Sequence, residues 1–435
     1  YYGPQKWFMS SLGLTKLSRN SSLYDKMKVT MAYQNFQESR INRNFQSDIQ
    51  RHNEEQVDAY SVNVDFEKRM SPKTEFYYGT EYISNRVFSE AYAENIRTQD
   101  QENIVTRYPD NSVWRSAAIY TSLKFKPNRK FVFQSGLRYN LVYYEADFSE
   151  NNEFLNLPFD YTENRSGALT GTAGISWAPS QIIQWKLNAS TAFRAPNIDD
   201  VGKVFDSAPG MVVVPNENLE PEYAYGGELG LKLNFQDKVL LDLSTYYTYL
   251  DNALVRRDYS IDGQDEILYG GEMSQVQAIQ NASKAWIYGL ELGLRINMTN
   301  RLKLTSQYNI IGGTEQSGSI EVPVRHIAPN FGNTHLFWES DKLKIDAYLV
   351  YNNELSFNQL APTEIDKAYL YASDSNGNPY APSWYTINLR TQYRLIENLR
   401  VSASLENMTD QRYRAYSSGI SAPGRNLILA LSYTL

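Results

Sequence analysis

Apolar and polar residues alternate along almost the whole chain. Near its end, Tyr385, Ile387, Leu389, Thr391, Tyr393 and Leu395 alternate with Thr386, Asn388, Arg390, Gln392 and Arg394. A polar turn follows at Glu397 and Asn398, after which Leu399, Val401, Ala403 and Leu405 alternate with Arg400, Ser402, Ser404 and Glu406. Leu427, Leu429, Leu431, Tyr433 and Leu435 then repeat the rhythm. A period of two is that of an extended strand with one apolar and one polar face. The pattern predicts strands from Trp7 to Ser18 and from Tyr24 to about Arg40, and one that sets Tyr60, Val62, Val64 and Phe66 against Ser61, Asn63, Asp65 and Glu67. In all, about 17 such segments are expected, with no linker or low-complexity tract between them.

The connections alternate between short and long. Ser71-Pro72, Pro127-Asn128-Arg129, Pro179-Ser180, Gln236-Asp237, Thr299-Asn300, Ser340-Asp341 and Glu397-Asn398 are turn-like. The long ones fall at about 41–56, 86–112, 147–167, 195–221, 252–281, 313–325, 355–383 and 414–424. Short turns on one rim and long loops on the other mark an antiparallel transmembrane β-barrel, with lipid outside and a polar lumen inside. Strand parity adds an expectation. With both termini on the short-turn side and an even strand number, several strands belong upstream of residue 1.

Composition sharpens this picture. No run of about 18 apolar residues exists, so no membrane helix is expected. The mean hydropathy of −0.52 does not exclude a barrel, because alternation averages the apolar face away. The chain has 34 Tyr, 18 Phe and 7 Trp, the amphipathic rings that favour a lipid–water boundary. Cysteine is absent, which excludes disulfides and thiolate metal sites. A net charge of −7 argues against nucleic acid as a partner.

Two boxes flank the loop 195–221. Phe193-Arg194-Ala195-Pro196 ends one strand, and Pro215-Asn216-Glu217-Asn218-Leu219-Glu220-Pro221-Glu222 leads into the next. Taken singly they read as a strand-ending proline and a solvated loop. As a pair they resemble the FRAP and NPNL boxes of TonB-dependent outer-membrane receptors. The run from Glu406 and Asn407 through Asp410 to Tyr413 is similar to that family's segment before the final loop. Gly419, Pro423, Gly424 and Arg425 resemble its entry into the last strand, and Asn281 through Glu291 its N…GxE segment. The resemblance implies a barrel of 22 strands around an N-terminal plug. Residues 1–435 would then be one domain, the C-terminal part of the barrel, with the plug and about five strands outside this sequence. It further implies active import across the cell outer membrane, driven by TonB of the TonB–ExbB–ExbD system through the plug, with the long loops extracellular.

The resemblance points first to the haem and haemoprotein branch and then to ferric siderophores, carried as transported ligand rather than as a resident cofactor. Haem takes an axial His or Tyr. Of the three histidines, His52 is expected in a long outer loop, His326 in or beside another, and His335 down a strand. His52 and His326 are therefore the candidate ligands, beside the ordinary reading of a solvated loop histidine. In the haem branch a histidine usually lies between the two boxes, and residues 197–215 contain none. Importers of glycans or peptides with a surface lipoprotein lid, and a passive porin of about 16 to 18 strands, are the alternatives. Asp374-Ser375-Asn376-Gly377-Asn378-Pro379 lacks the spacing of a calcium loop and reads as a turn. Asp199-Asp200 reads as a solvated loop pair. With no G-x-S-x-G, P-loop or dinucleotide signature, an enzyme is not expected.

Overall fold

The computed structural model describes residues 2–208, 210–269, 271–281, 284–318 and 320–434. Leu435, which closes the last alternation in the sequence, lies outside the described residues. The alternation is realised as one antiparallel sheet of 19 strands. Two of these, Gln101–Asn103 and Ile320–Pro323, are short flaps paired to a longer neighbour. That leaves 17 wall strands among the described residues. From Tyr2–Leu17 to Asn426–Tyr433, each pairs with the wall strands before and after it in sequence. Among the described residues no pairing joins the first wall strand to the last. Among the described residues no helix is long and apolar enough to cross a membrane.

One face of the wall is apolar and open. Val64, Thr80, Ile119, Tyr139 and Leu169 form a row across adjacent strands. Ile175, Leu187, Leu229, Thr245, Leu290 and Ile310 form another. Most of the exposed large apolar side chains of the wall lie at such positions, as a lipid-facing surface requires. The other face is a polar network. The Tyr120 hydroxyl donates to Asp65, Asn63 and Arg138 both donate to Glu81, and His335 pairs with Asp346 at 3.0 Å. Two glycines on this face admit a neighbouring ring against the backbone. Tyr120 covers Gly79 and Tyr246 covers Gly289, each where a Cβ would collide with the ring.

The rims differ as expected, but the strands on the long-loop side run further than the alternation alone predicted. Ile49–Ser71 has 23 residues and Thr74–Asn95 has 22, about twice the length needed to span a bilayer. The connection expected at 41–56 shrinks to 43–48, because the ladder continues through Ile41 opposite His52 and Asn42 opposite Arg51. Outward positions on Ile49–Ser71 change from Phe66, Val64, Val62 and Tyr60 to Asp58, Gln56, Glu54 and His52. The Tyr33 hydroxyl reaches Asp58 at that change, at 2.8 Å. The apolar band therefore ends near Tyr60, and residues 49–58 rise above it.

The dry core lies in the loops. Tyr144, Phe148 and Leu157 pack with Ile198, Val201, Val212 and Leu219 and with Ile261, Val276 and Ala278, all buried. These residues come from the segments 144–157, 198–219 and 261–278, which the sequence pattern treats mainly as irregular loops. The loops carry structure of their own. Phe205–Ala208, Met211–Val213, Glu272–Asn281 and Leu254–Asp258 form a second sheet, with Glu266–Tyr269 paired to Glu272–Asn281. Short helices at Ser149–Leu155 and Ile198–Val201 complete this dome. A smaller cluster of Leu355, Leu360, Tyr371 and Ala381 sits in the 353–383 loop.

Candidate functional site

The two boxes form a clasp between the wall and the dome. Phe193 and Tyr223 are register partners with rings 5.3 Å apart, so the adjoining strands enter the loop together. Ala195 and Pro196 take the chain off the ladder into the helix Ile198–Val201, with Pro196 buried. That helix is capped reciprocally: Asn197 Oδ1 accepts from the Asp200 amide and Asp200 Oδ2 from the Asn197 amide, both at 3.1 Å. Asp200 also accepts twice from Arg194, at 2.6 and 2.8 Å, and Glu222 flanks the guanidinium at 3.6 Å. Glu222 in turn accepts from the Leu254 amide at 2.9 Å. Asn216, buried, donates to the Ile279 carbonyl at 2.8 Å, and its own amide donates to Val201 at 3.0 Å. Leu219 is buried in the dome core, and Pro221 leads into the strand Glu222–Phe235. The N…GxE segment joins the same clasp, because Asn281 donates to the carbonyls of Glu220 and Asn252.

The reading of Asp199-Asp200 as a solvated pair thus holds only for Asp199, which is exposed. Asp200 is buried in the cap, and Asp199 accepts from the Tyr108 hydroxyl at 2.6 Å and from Lys203 at 2.7 Å. Burial raises the Asp199 carboxyl, but the Lys203 and Tyr108 hydrogen bonds outweigh it and hold the group below its ordinary value. These local partners, three and four residues away or across a loop, leave no trace in the alternation.

A second clasp closes the final loop. Asn407, buried and left-handed at φ 48°, receives the Gln411 amide at 2.9 Å and donates to the Gln411 and Pro423 carbonyls at 2.8 and 3.2 Å. Asp410 accepts from the Arg425 amide at 2.8 Å, and Gly424 lies where a Cβ would strike that carboxylate. Arg425 donates to the Met408 carbonyl at 3.2 Å, and Tyr413 stacks on Trp384 at 4.2 Å. Gly419 packs beside Leu370 of the neighbouring loop. Asp374 turns its own hairpin, accepting the Asn376 and Asn378 amides at 2.8 Å, as a turn rather than a cation loop would.

The histidines do not converge. His52 lies on the strand Ile49–Ser71 instead of in a loop, because the ladder extends past it. Its even position puts it on the outward face, where it stacks on Tyr92 at 4.5 Å, away from the lumen. His326 sits in a left-handed turn with its Nε2 3.3 Å from Glu364. Burial and the Arg325 guanidinium hold His326 below its ordinary value, which favours the neutral ring. Glu364 is fully buried and joins three loops: Arg325 donates to it at 2.7 Å, Ser417 at 3.2 Å, and the Tyr371 hydroxyl as well. Burial alone would raise this carboxyl, and the Tyr371 and Arg325 hydrogen bonds bring it below its ordinary value.

A family model described as TonB dependent receptor-like, beta-barrel, matches residues 2–408. The chain belongs to that family. Among relatives of this receptor chain, the hemoglobin and hemoglobin-haptoglobin-binding protein A of Haemophilus influenzae is 23% identical over 356 residues, covering 71% of this chain and 32% of that protein. The iron-regulated outer membrane virulence protein of Vibrio cholerae is 24% identical over 261 residues, 59% of this chain and 38% of that protein. The copper transporter OprC shares the fold with a TM-score of 0.80 at 14% identity, over 99% of this chain and 65% of its own. The Serratia marcescens hemophore receptor HasR gives 0.70 at 14%, again over 99% of this chain and 65% of its own. The chain spans about a third of the length of the curated relatives it matches. The all-β barrel expected from the alternation is therefore the fold, and the receptor resemblance read from the boxes is the family. Of these relatives and neighbours, the Vibrio cholerae protein is named for the outer membrane, OprC as a copper transporter and HasR as a hemophore receptor.

Sequence reasoning missed one group of polar residues on the long-loop side. Arg51 and Glu55 alternate on the inner face of Ile49–Ser71, and Arg107 reaches them from the 96–111 loop. Both carboxylate oxygens of Glu55 are buried without a hydrogen-bond partner. Burial pushes the Glu55 carboxyl up to about 7, against the pull of Arg107 and Arg40. The only signal in the sequence was a charged residue at every second or fourth position of a strand.

Proposed function

We propose that this chain forms most of the wall and the outer mouth of an importer that carries an iron source, haem, haemoprotein or ferric siderophore, across the outer membrane. The reading is carried by the asymmetry of the two rims: short turns on one side, and on the other a packed dome clasped to the wall by the family's boxes. A passive pore has no need of such a capped mouth. In this reading the long loops lie outside the cell, where cargo arrives. The iron source follows from relatives named for hemoglobin binding and iron regulation. Both edge strands need partners in lipid, so further strands complete the barrel, and a plug segment closes a lumen this wide. TonB, energised through ExbB and ExbD, acts on that plug.

The test is uptake of iron from haemin, hemoglobin and ferric siderophores by cells that depend on the full-length receptor, with and without TonB. Uptake of one of these sources that collapses on TonB deletion is expected. Uptake indifferent to TonB would refute the proposal and favour a pore.

A further inference from the structure

The wall ladder is interrupted inside the apolar band. Strands Tyr161–Trp177 and Ile183–Arg194 pair only from Trp177 opposite Trp185 up to Thr172 opposite Ser190. Both run on towards the long loops, the first paired to Phe131–Asp147 as far as Tyr161 and the second to Glu222–Phe235 as far as Arg194, but no longer to each other. At the first missing rung a side chain stands in. The Thr191 hydroxyl accepts from the Gly171 amide at 2.9 Å and donates to the Gly171 carbonyl at 3.5 Å. Gly171 thus turns its backbone groups to the seam, and by the alternation of an antiparallel strand so do Leu169 and Gly167 above it. Among the described residues no backbone hydrogen bond reaches those two from the seam side. Leu169 shares a row with Val64, Thr80, Ile119 and Tyr139, so the open groups stand at the level of hydrocarbon, where leaving them unpaired is costly.

Below the seam the outward surface is hollow. Ala173, Ala189 and Gly227 share one cross-strand row and floor a groove of about 920 Å³, with Leu137 on one side and Tyr225 and Tyr247 on the other. A Cβ on Gly227 would meet nothing within 4 Å, whereas Gly79 and Gly289 on the lumen face are each filled by a tyrosine ring. The Thr121 hydroxyl turns back onto the Tyr77 carbonyl at 3.3 Å, which keeps that end of the groove apolar. Backbone donors and acceptors therefore stand towards the long loops, above an apolar trench. A lipid of the leaflet on that side has the same order, with ester and head-group oxygens above a hydrocarbon tail. A membrane helix or a second barrel wall does not, because its own backbone groups are already satisfied.

We propose that this seam is a lipid-binding site. One acyl chain fills the trench over Ala173, Ala189 and Gly227, and the oxygens at its head bond the amides of Leu169 and Gly167. The lipid is a rung of the wall where the protein supplies none. A bilayer around the wall is all that the site requires, whatever the cargo.

The full-length receptor is placed in nanodiscs of dioleoyl phosphatidylcholine, doped with phosphatidylcholine that carries a photoreactive diazirine on one acyl chain, and labelled residues are mapped by peptide mass spectrometry. Residues of the trench are expected to label at least about fivefold more than the outward face of Leu343–Asn352. Ala189→Leu with Gly227→Leu fills the trench and abolishes the excess, whereas Ala347→Leu, outward on that reference strand, leaves it. Even labelling along the wall, or an excess that survives filling, overturns the proposal. Cross-linking between copies through Ala189→Cys would give the trench to a second barrel and also overturn it. Should the filled variant not assemble, hydrogen exchange on the native protein decides. The amides of Leu169 and Gly167 should exchange at least about tenfold faster after the lipid is stripped by detergent, with Ile175 unchanged; equal rates with and without lipid overturn the proposal.

Discussion

Replacing Asn407 should loosen the final loop without disturbing the wall. Its side chain makes three hydrogen bonds to the loop backbone, to the Gln411 amide and to the Gln411 and Pro423 carbonyls. At about 1 kcal/mol net for each bond, Asn407→Gly removes roughly 3 kcal/mol from the closed loop. That corresponds to about a hundredfold more frequent opening, since about 1.4 kcal/mol is a factor of ten. Asn407→Ala adds a backbone penalty of about 1 kcal/mol, because φ is 48° and alanine resists the left-handed region that glycine accepts. The two variants therefore separate the side-chain contribution from the backbone one. Hydrogen exchange on the nanodisc-embedded protein reads the opening directly at the amides of Gln411, Ala422 and Arg425. Their protection is expected to fall in Asn407→Gly and further in Asn407→Ala, while amides of the ladder between Leu399–Glu406 and Trp384–Ile396 stay protected. Unchanged exchange in both variants, or equal loss in loop and wall, would refute the clasp.

The remaining predictions concern other sites. Asp200→Ala removes the cap and the Arg194 partner together, and is expected to cost about 2–3 kcal/mol of dome stability, seen as proteolysis within 195–221 while the barrel keeps its heat-resistant gel mobility. Glu364→Gln weakens the charge-assisted bond to Arg325 and should raise exchange in the 318–330 and 353–383 loops together; a change in only one would show that the carboxylate does not couple them. Gly289→Ala places a methyl against the Tyr246 ring, at an expected cost of about 1–3 kcal/mol to the wall, measured as a lower melting temperature that Tyr246→Ala partly restores. The wall around Glu55 should lose stability as pH rises from about 4.5 to about 7, because burial pushes this carboxyl up to about 7 and the folded state resists ionising it. Arg40, Arg107, Glu38 and Glu54 also act on this group. Glu55→Gln is expected to flatten that slope, whereas a slope retained in the variant assigns it to another group.

The wall was legible because every second residue faces lipid, and lipid imposes one requirement on all of them. That single constraint placed the wall strands and sorted the rims. It misjudged strand ends such as Ile49, since above the bilayer the outward face turns polar while the ladder simply continues through His52. The dome was not legible. Val201, Val212 and Val276 meet in its core from segments with no shared period, and such packing is fixed by tertiary contact alone. Asp200 was misread for a related reason: a carboxylate three residues from its cap partner looks like any loop acid until Arg194 is seen to close on it. The boxes were recognised as family marks before their work was visible, and that work in this chain is to hold loops to strands. His52 and His326 fit the chemistry of an axial ligand by residue type, but one faces away from the lumen and the other leans on Glu364.

A core that sits outside the bilayer divides the molecule between two solvents. The wall answers to hydrocarbon thickness and to the detergent or lipid that replaces it, whereas the dome obeys the ordinary hydrophobic effect in water. A thinner bilayer or a harsher detergent should thus strain the strands and spare the dome. Urea or cold, which weaken apolar burial in water, should melt the dome over an intact wall. The outer mouth can therefore vary in sequence, or loosen and re-form, without putting the integrity of the membrane wall at risk.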